Sequence, residues 1–60
     1  MTAQEVLKAC KHGDRMMDTM SGEELKYVKF DYEETGYVTL SDKKGGTVWL
    51  QPVRLELIKD

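Results

Sequence analysis

Few residues of this chain could do chemistry, and their spacing limits how far each can be taken. Cys10 and His12 offer a thiol and a base, the pairing that nucleophilic catalysis needs. Two positions apart on a helix they point to different sides, and nothing nearby in sequence supplies a third member. Cys10 therefore reads as a small core residue. His12 reads as a residue near a helix C-terminus, where positive charge is favoured. Met16, Met17 and Met20 read as adaptable core or interface filler rather than metal ligands. Glu33-Glu34, and Asp14 with Asp18, lack calcium-loop or glycosidase context. Gly45-Gly46 precedes no helix that could complete a phosphate cradle. No catalytic residue, cofactor site or metal site is expected, and the chain reads as a non-enzyme.

Trp49 is the residue whose type points most directly to binding, since aromatic side chains are enriched in interface hot spots. On a strand it points away from Val48 and Leu50, onto a face that also takes Tyr27, Tyr37 and Thr39. If Val28, Phe30, Val38, Leu40, Val48 and Leu50 fill the core, the opposite face is an aromatic patch in need of a cover. A short N-terminal helix, a second protomer or a ligand could each supply it. Trp49, Tyr37, Tyr27, Lys29 and Gln51 form the expected interface set. The basic residues are scattered, with Lys26 and Lys29 on one strand, Lys43 and Lys44 in a loop, Arg54 in a turn, and Lys8 and Lys11 on the helix. They could follow a nucleic-acid backbone while a base stacks on Trp49. Glu23, Glu24, Asp31, Glu33, Glu34 and Asp42 stand close by in sequence and oppose that use, so a solvated mixed-charge surface is the favoured reading.

These residues must be held by one small unit. Sixty residues make a single domain, 1–60, and a chain of that size buries only about 60% of the surface its unfolded form exposes. One cysteine excludes an internal disulfide, and no repeated Cys/His spacing provides a structural zinc, so self-association is the staple left to so small a core. The net charge of −2 gives no general attraction to nucleic acid or anionic lipid. No apolar run nears the roughly 20 residues of a membrane span, and Met1 to Glu5 lacks the layout of a secretory signal. A cytoplasmic protein is expected, with no membrane partner.

Thr2-Ala3-Gln4-Glu5 has capping-box form, and Ala3, Val6, Leu7 and Cys10 share one helical side, which predicts a helix over Ala3 to His12 ended by Gly13. Punctuation every eight to twelve residues then predicts a small all-β unit. Its strands are expected at Asp14 to Met20, Leu25 to Tyr32, Tyr37 to Ser41 and Thr47 to Gln51. Ser21 to Glu24, Glu33 to Gly36 and Asp42 to Gly46 are the connections. The apolar alternation changes phase between Leu50 and Val53, and Pro52 can donate no ladder bond. A tight turn over Pro52 to Leu55 and a final short strand over Glu56 to Lys59 follow from that break.

Gly13-Asp14-Arg15, Ser21-Gly22, Gly36-Tyr37-Val38, Gly46-Thr47-Val48 and Pro52-Val53 ahead of Leu55-Glu56-Leu57-Ile58 together resemble a small SH3-like barrel. The pattern is most similar to that of the plasmid-encoded type II dihydrofolate reductases, and it covers roughly Gly13 to Ile58. The resemblance implies a mainly β fold: a small barrel of about five strands after a short helix, with a tendency to assemble into oligomers. It does not extend to their chemistry. Where that family has a Val-Gln-Ile-Tyr segment holding nicotinamide and pterin, this chain has Val48-Trp49-Leu50-Gln51. Thr19 and Met20 stand where the family is basic, and the stretch between Pro-Val and Leu-Glu is one residue shorter. The expected function is a small non-catalytic binding or assembly module acting through protein contacts, as a homo-oligomer or with another protein. A nucleic-acid-binding accessory protein is the alternative, and a ligand-binding oligomer the third reading.

Overall fold

Thr2 starts the first element in the way its sequence requires. Its hydroxyl accepts the Glu5 N–H at 3.2 Å and its own N–H donates to the Glu5 carboxylate at 2.8 Å, closing the capping box of helix α1, Ala3–Ala9. The helix ends earlier than Gly13 would place it. Cys10 is already extended, although its N–H still reaches the Val6 carbonyl, because the chain must turn here to enter the sheet. Gly13, at φ 94°, makes that turn and donates to the Tyr27 carbonyl at 2.8 Å. The computed structural model describes Met1 to Lys59; Asp60, the last residue of the expected domain, lies outside the described residues.

Five strands follow: β1 Arg15–Asp18, β2 Glu24–Asp31, β3 Tyr37–Ser41, β4 Thr47–Leu50 and β5 Leu55–Leu57. All pair antiparallel in one sheet of order β4-β3-β2-β1-β5, which leaves β4 and β5 at its edges. The fold is thus mainly β with one short helix. A 3₁₀ turn over Pro52–Arg54 carries the chain from β4 to β5 at the opposite edge, so the phase break falls where Pro52 places it. The last strand lies one residue earlier than expected and is shorter. Among the described residues, no helix is long and apolar enough to cross a membrane.

The inward face gathers Met16, Leu25, Tyr27, Val38, Leu40, Leu50 and Leu55, with Val6 of α1 added to them. Two features depart from simple alternation. In β2, Tyr27 pairs with Leu40 but the next rung is Lys29 with Thr39, so Val28 is an extra residue in a β-bulge. The bulge shifts the phase. Leu25 and Tyr27 point inward before it and Phe30 after it, and Val28 is left half-buried outside the core set. The expected core position of Val28 and the expected outward position of Tyr27 are both corrected by this one irregularity. In β1, Met16 is buried as expected, but Met20 lies past the strand end and is exposed.

The amino-terminal residue reaches the β1–β5 seam. Met16 pairs with Leu57 and Asp18 with Leu55, while the Met1 α-amino group donates to the carbonyls of Leu55 at 2.7 Å and Pro52 at 3.1 Å. Asp18 is buried, 5% exposed. Its carboxylate accepts the Met20 N–H at 3.0 Å and the Arg54 guanidinium at 2.7 Å. These bonds hold the Asp18 carboxyl below the ordinary aspartate range, the Met20 N–H first and Arg54 after it, against the opposing effect of burial.

Candidate functional site

The outward face of the sheet is organised by register. Lys29, Thr39 and Trp49 form one row across β2, β3 and β4. Asp31 and Tyr37 form the next row, and Lys26, Ser41 and Thr47 the one on the other side. Trp49 is 61% exposed and Tyr37 41% exposed, whereas Thr39 between them is buried. The Thr39 hydroxyl finds no hydrogen-bond partner among the described residues. It sits in the centre of the patch with a large aromatic on the adjacent edge strand. Lys29 is held by Asp31, Nζ to Oδ2 at 3.6 Å, so it lends the face little net charge.

Trp49, Tyr37 and Lys29 are therefore brought onto one face, and two other expected members are not. Tyr27 is only 8% exposed and belongs to the inward core, where burial is the main cause raising its phenol pKa. Gln51 lies past the end of β4 and caps the 3₁₀ turn, its carbonyl accepting the Arg54 N–H at 3.0 Å. Its neighbours are Met1, Thr2, Ala3, Gly36, Pro52 and Val53, around a shallow groove of about 290 Å³. The helix does not cover the aromatic face. It packs on the 3₁₀ turn and sends Val6 into the inward core.

The other chemistry-bearing groups are dispersed. Cys10 Sγ lies 4.0 Å from Met16 Sδ, and burial followed by the nearby Asp14 carboxylate pushes the thiol pKa up, opposite to what an activated nucleophile needs. Asp14 is engaged with the Lys11 N–H at 2.9 Å. Arg15 and Glu24 form an exposed pair across β1 and β2 at 3.0 Å, and Arg15 is the first cause of the lowered Glu24 pKa. No group of three or more His, Cys, Asp or Glu side chains is placed to hold a metal among the described residues. A wider cleft of about 380 Å³, lined by Glu24, Leu25, Lys26, Ser41, Asp42, Lys43 and Gly45, lies near the β3–β4 turn. Its charged groups have mixed sign, and both Lys43 and Lys26 act on the Glu24 carboxylate.

No protein-family model, curated protein or solved structure matches this chain. The pair of buried Asp18 with half-buried Arg54 had no sequence signal, because its members are 36 positions apart and neither belongs to a motif. The open edge beside Trp49 was equally hidden, since which strands end a sheet depends on pairing order. A four-residue β4 lacking any charged residue was the only available hint.

Proposed function

We propose that this chain is a small non-catalytic binding module of SH3-like barrel architecture that self-associates through the outward face of β3 and β4. The observation that carries the reading is the 61% exposure of Trp49 beside Tyr37, on a face that the chain's own helix leaves open. An indole of this kind exposes a large apolar area at low conformational cost, which suits an interface anchor. The architecture is supported by the antiparallel order β4-β3-β2-β1-β5 and the 3₁₀ turn that returns β5 beside β1. The bulge that bends β2 and the resemblance to the type II reductases point the same way. With Trp49 and Gln51 standing where that family has its Gln and Tyr, the resemblance supports architecture and assembly rather than reduction.

Sedimentation velocity over a wide concentration range tests the reading. The parent should form a discrete oligomer that Trp49→Ala weakens, while the urea midpoint of the Trp49→Ala monomer stays near that of the parent. A parent that is monomeric at every concentration, with Trp49→Ala simply unfolding it, would remove the support for self-association. The nucleic-acid reading draws on Lys26, Lys29 and Trp49 lying on one face. It predicts salt-sensitive binding of single- or double-stranded oligonucleotides in the same buffers.

A further inference from the structure

Resting on the self-association reading, we infer that the contact is an isologous, antiparallel pairing of β4 with β4 of a second copy, centred on Val48. The two edges of the sheet are treated differently by the fold. At the β5 edge the outward carbonyl of Leu55 is already taken by the Met1 amino group, and Glu56 places a charge on the strand. At the β4 edge nothing comparable is present among the described residues. The Asp42 N–H donates to the Gly46 carbonyl at 2.9 Å, which makes that pair a hydrogen-bonded rung. Alternation then turns the backbone groups of Val48 and Leu50 toward β3 and those of Thr47 and Trp49 toward the open edge.

Natural sheets protect an open edge with a charge, a proline or a bulge. β4, Thr47-Val48-Trp49-Leu50, has none of these, and its paired register with β3 is regular. Antiparallel pairing of Thr47 with the second copy's Trp49, repeated by the two-fold axis, uses only the outward groups. It completes a rung on each side of Val48. The two indoles then lie diagonally across the new junction on the outward face, within reach of one another.

Charge selects the antiparallel sense. The β3–β4 turn carries the exposed Lys43 and Lys44, with Lys26 in the adjacent row. The turn's one acid, Asp42, accepts the N–H groups of Lys44 at 2.9 Å and Gly46 at 2.7 Å. The opposite end of β3 leads into the β2–β3 turn with the exposed Glu33 and Glu34. Antiparallel copies bring each lysine turn toward the other copy's glutamate turn. A parallel arrangement would bring like charges together.

Two variants test the edge itself. Thr47→Pro removes an N–H that points outward and no bond to β3, so the monomer should fold while its dimer dissociation constant rises by about tenfold or more. Val48→Cys in a Cys10→Ser background puts the two sulfurs at the two-fold axis, at a non-hydrogen-bonded pair. Cα atoms there are about 4.5 Å apart, inside the disulfide window of about 4.4 to 6.8 Å. Oxidised glutathione should then give a covalent dimer, and Tyr37→Cys in the same background should not. A parent dimer that Thr47→Pro leaves equally tight, or one that Val48→Cys fails to cross-link, overturns the edge pairing and leaves assembly through the aromatic face standing. A parent that never associates overturns both. If Thr47→Pro does not fold, the cross-linking result decides alone.

Discussion

Deleting Val28 probes the irregularity on which the two faces of the sheet depend. The bulge leaves Tyr27 opposite Leu40 and Lys29 opposite Thr39, with Val28 as the extra residue between them. Without it, Tyr27 and Lys29 become neighbours, and alternation places Tyr27 inward, Lys29 outward and Phe30 inward. Each residue keeps the face and the β3 partner it already has. What is lost is the half-buried part of one valine, roughly half of the 1.5 to 3 kcal/mol for full burial, hence about 1 kcal/mol, together with the bend the bulge supplies. Deleting Thr39 from β3 is the control. It makes Val38 and Leu40 neighbours, and since each is 0% exposed, one of them must turn outward. That costs about 1.5 to 3 kcal/mol in burial, before counting the slip of the β4 pairs on one side of the deletion. A 60-residue domain has roughly 3 to 9 kcal/mol of stability in total. In urea melts followed by circular dichroism, the Val28 deletion should keep a cooperative transition at a slightly lower midpoint. The Thr39 deletion should lose most or all of it. If the Val28 deletion unfolds the chain and the Thr39 deletion melts like the parent, the inward and outward sets have been assigned to the wrong sides of the bulge.

Leu40→Ala should destabilise by about 3 kcal/mol, and Phe30→Ala, at a site still partly open to solvent, by about 2 kcal/mol; denaturant melts that reverse this order would contradict the burial pattern. Acid should weaken the fold through Asp18 and Glu24, whose carboxyl pKa values are lowered on folding. Their contribution is fully present above the ordinary carboxylate values of about 3.9 and 4.3, and is lost as pH falls through the lower folded-state values. Urea midpoints measured downward from about pH 5 should therefore decline, and Asp18→Asn should flatten the decline. An unchanged slope in that variant would show that Asp18 does not carry the acid sensitivity.

Local chemistry made much of this fold legible. The capping box at Thr2 and Glu5, the loop composition of Asp42 to Gly46 and the proline break at Pro52 each act over a few residues, and each appears at its expected place. Trp49 was legible as outward-facing because β4 alternates cleanly between Val48 and Leu50. The stretch Leu25 to Tyr32 was not, since Leu25 with Tyr27 and Val28 with Phe30 fit opposite phases and no glycine marks the shift. Only pairing with β3 shows that both phases are used, one on each side of a bulge. The helix stop also escaped local reasoning. Gly13 is a good terminator, but it is needed one turn later, where its N–H meets the Tyr27 carbonyl. Non-local pairs such as Asp18 with Arg54 leave no trace in spacing at all.

The seam between β1 and β5 has a consequence for the order of events in folding. The β2-β3-β4 meander is joined by short turns and can assemble from neighbours in sequence. Fastening β5 beside β1, with the Asp18–Arg54 pair at 36 residues' separation, closes a far larger loop. Loop-closure entropy delays such contacts until the rest of the sheet can receive them. The seam is hypothesised to form late and open first, so Leu57→Ala should mainly raise the unfolding rate, whereas Leu40→Ala should mainly slow folding. A chevron analysis in which Leu57→Ala acted chiefly on the folding limb would reverse that order, making the β1–β5 seam the nucleus of the domain instead of its clasp.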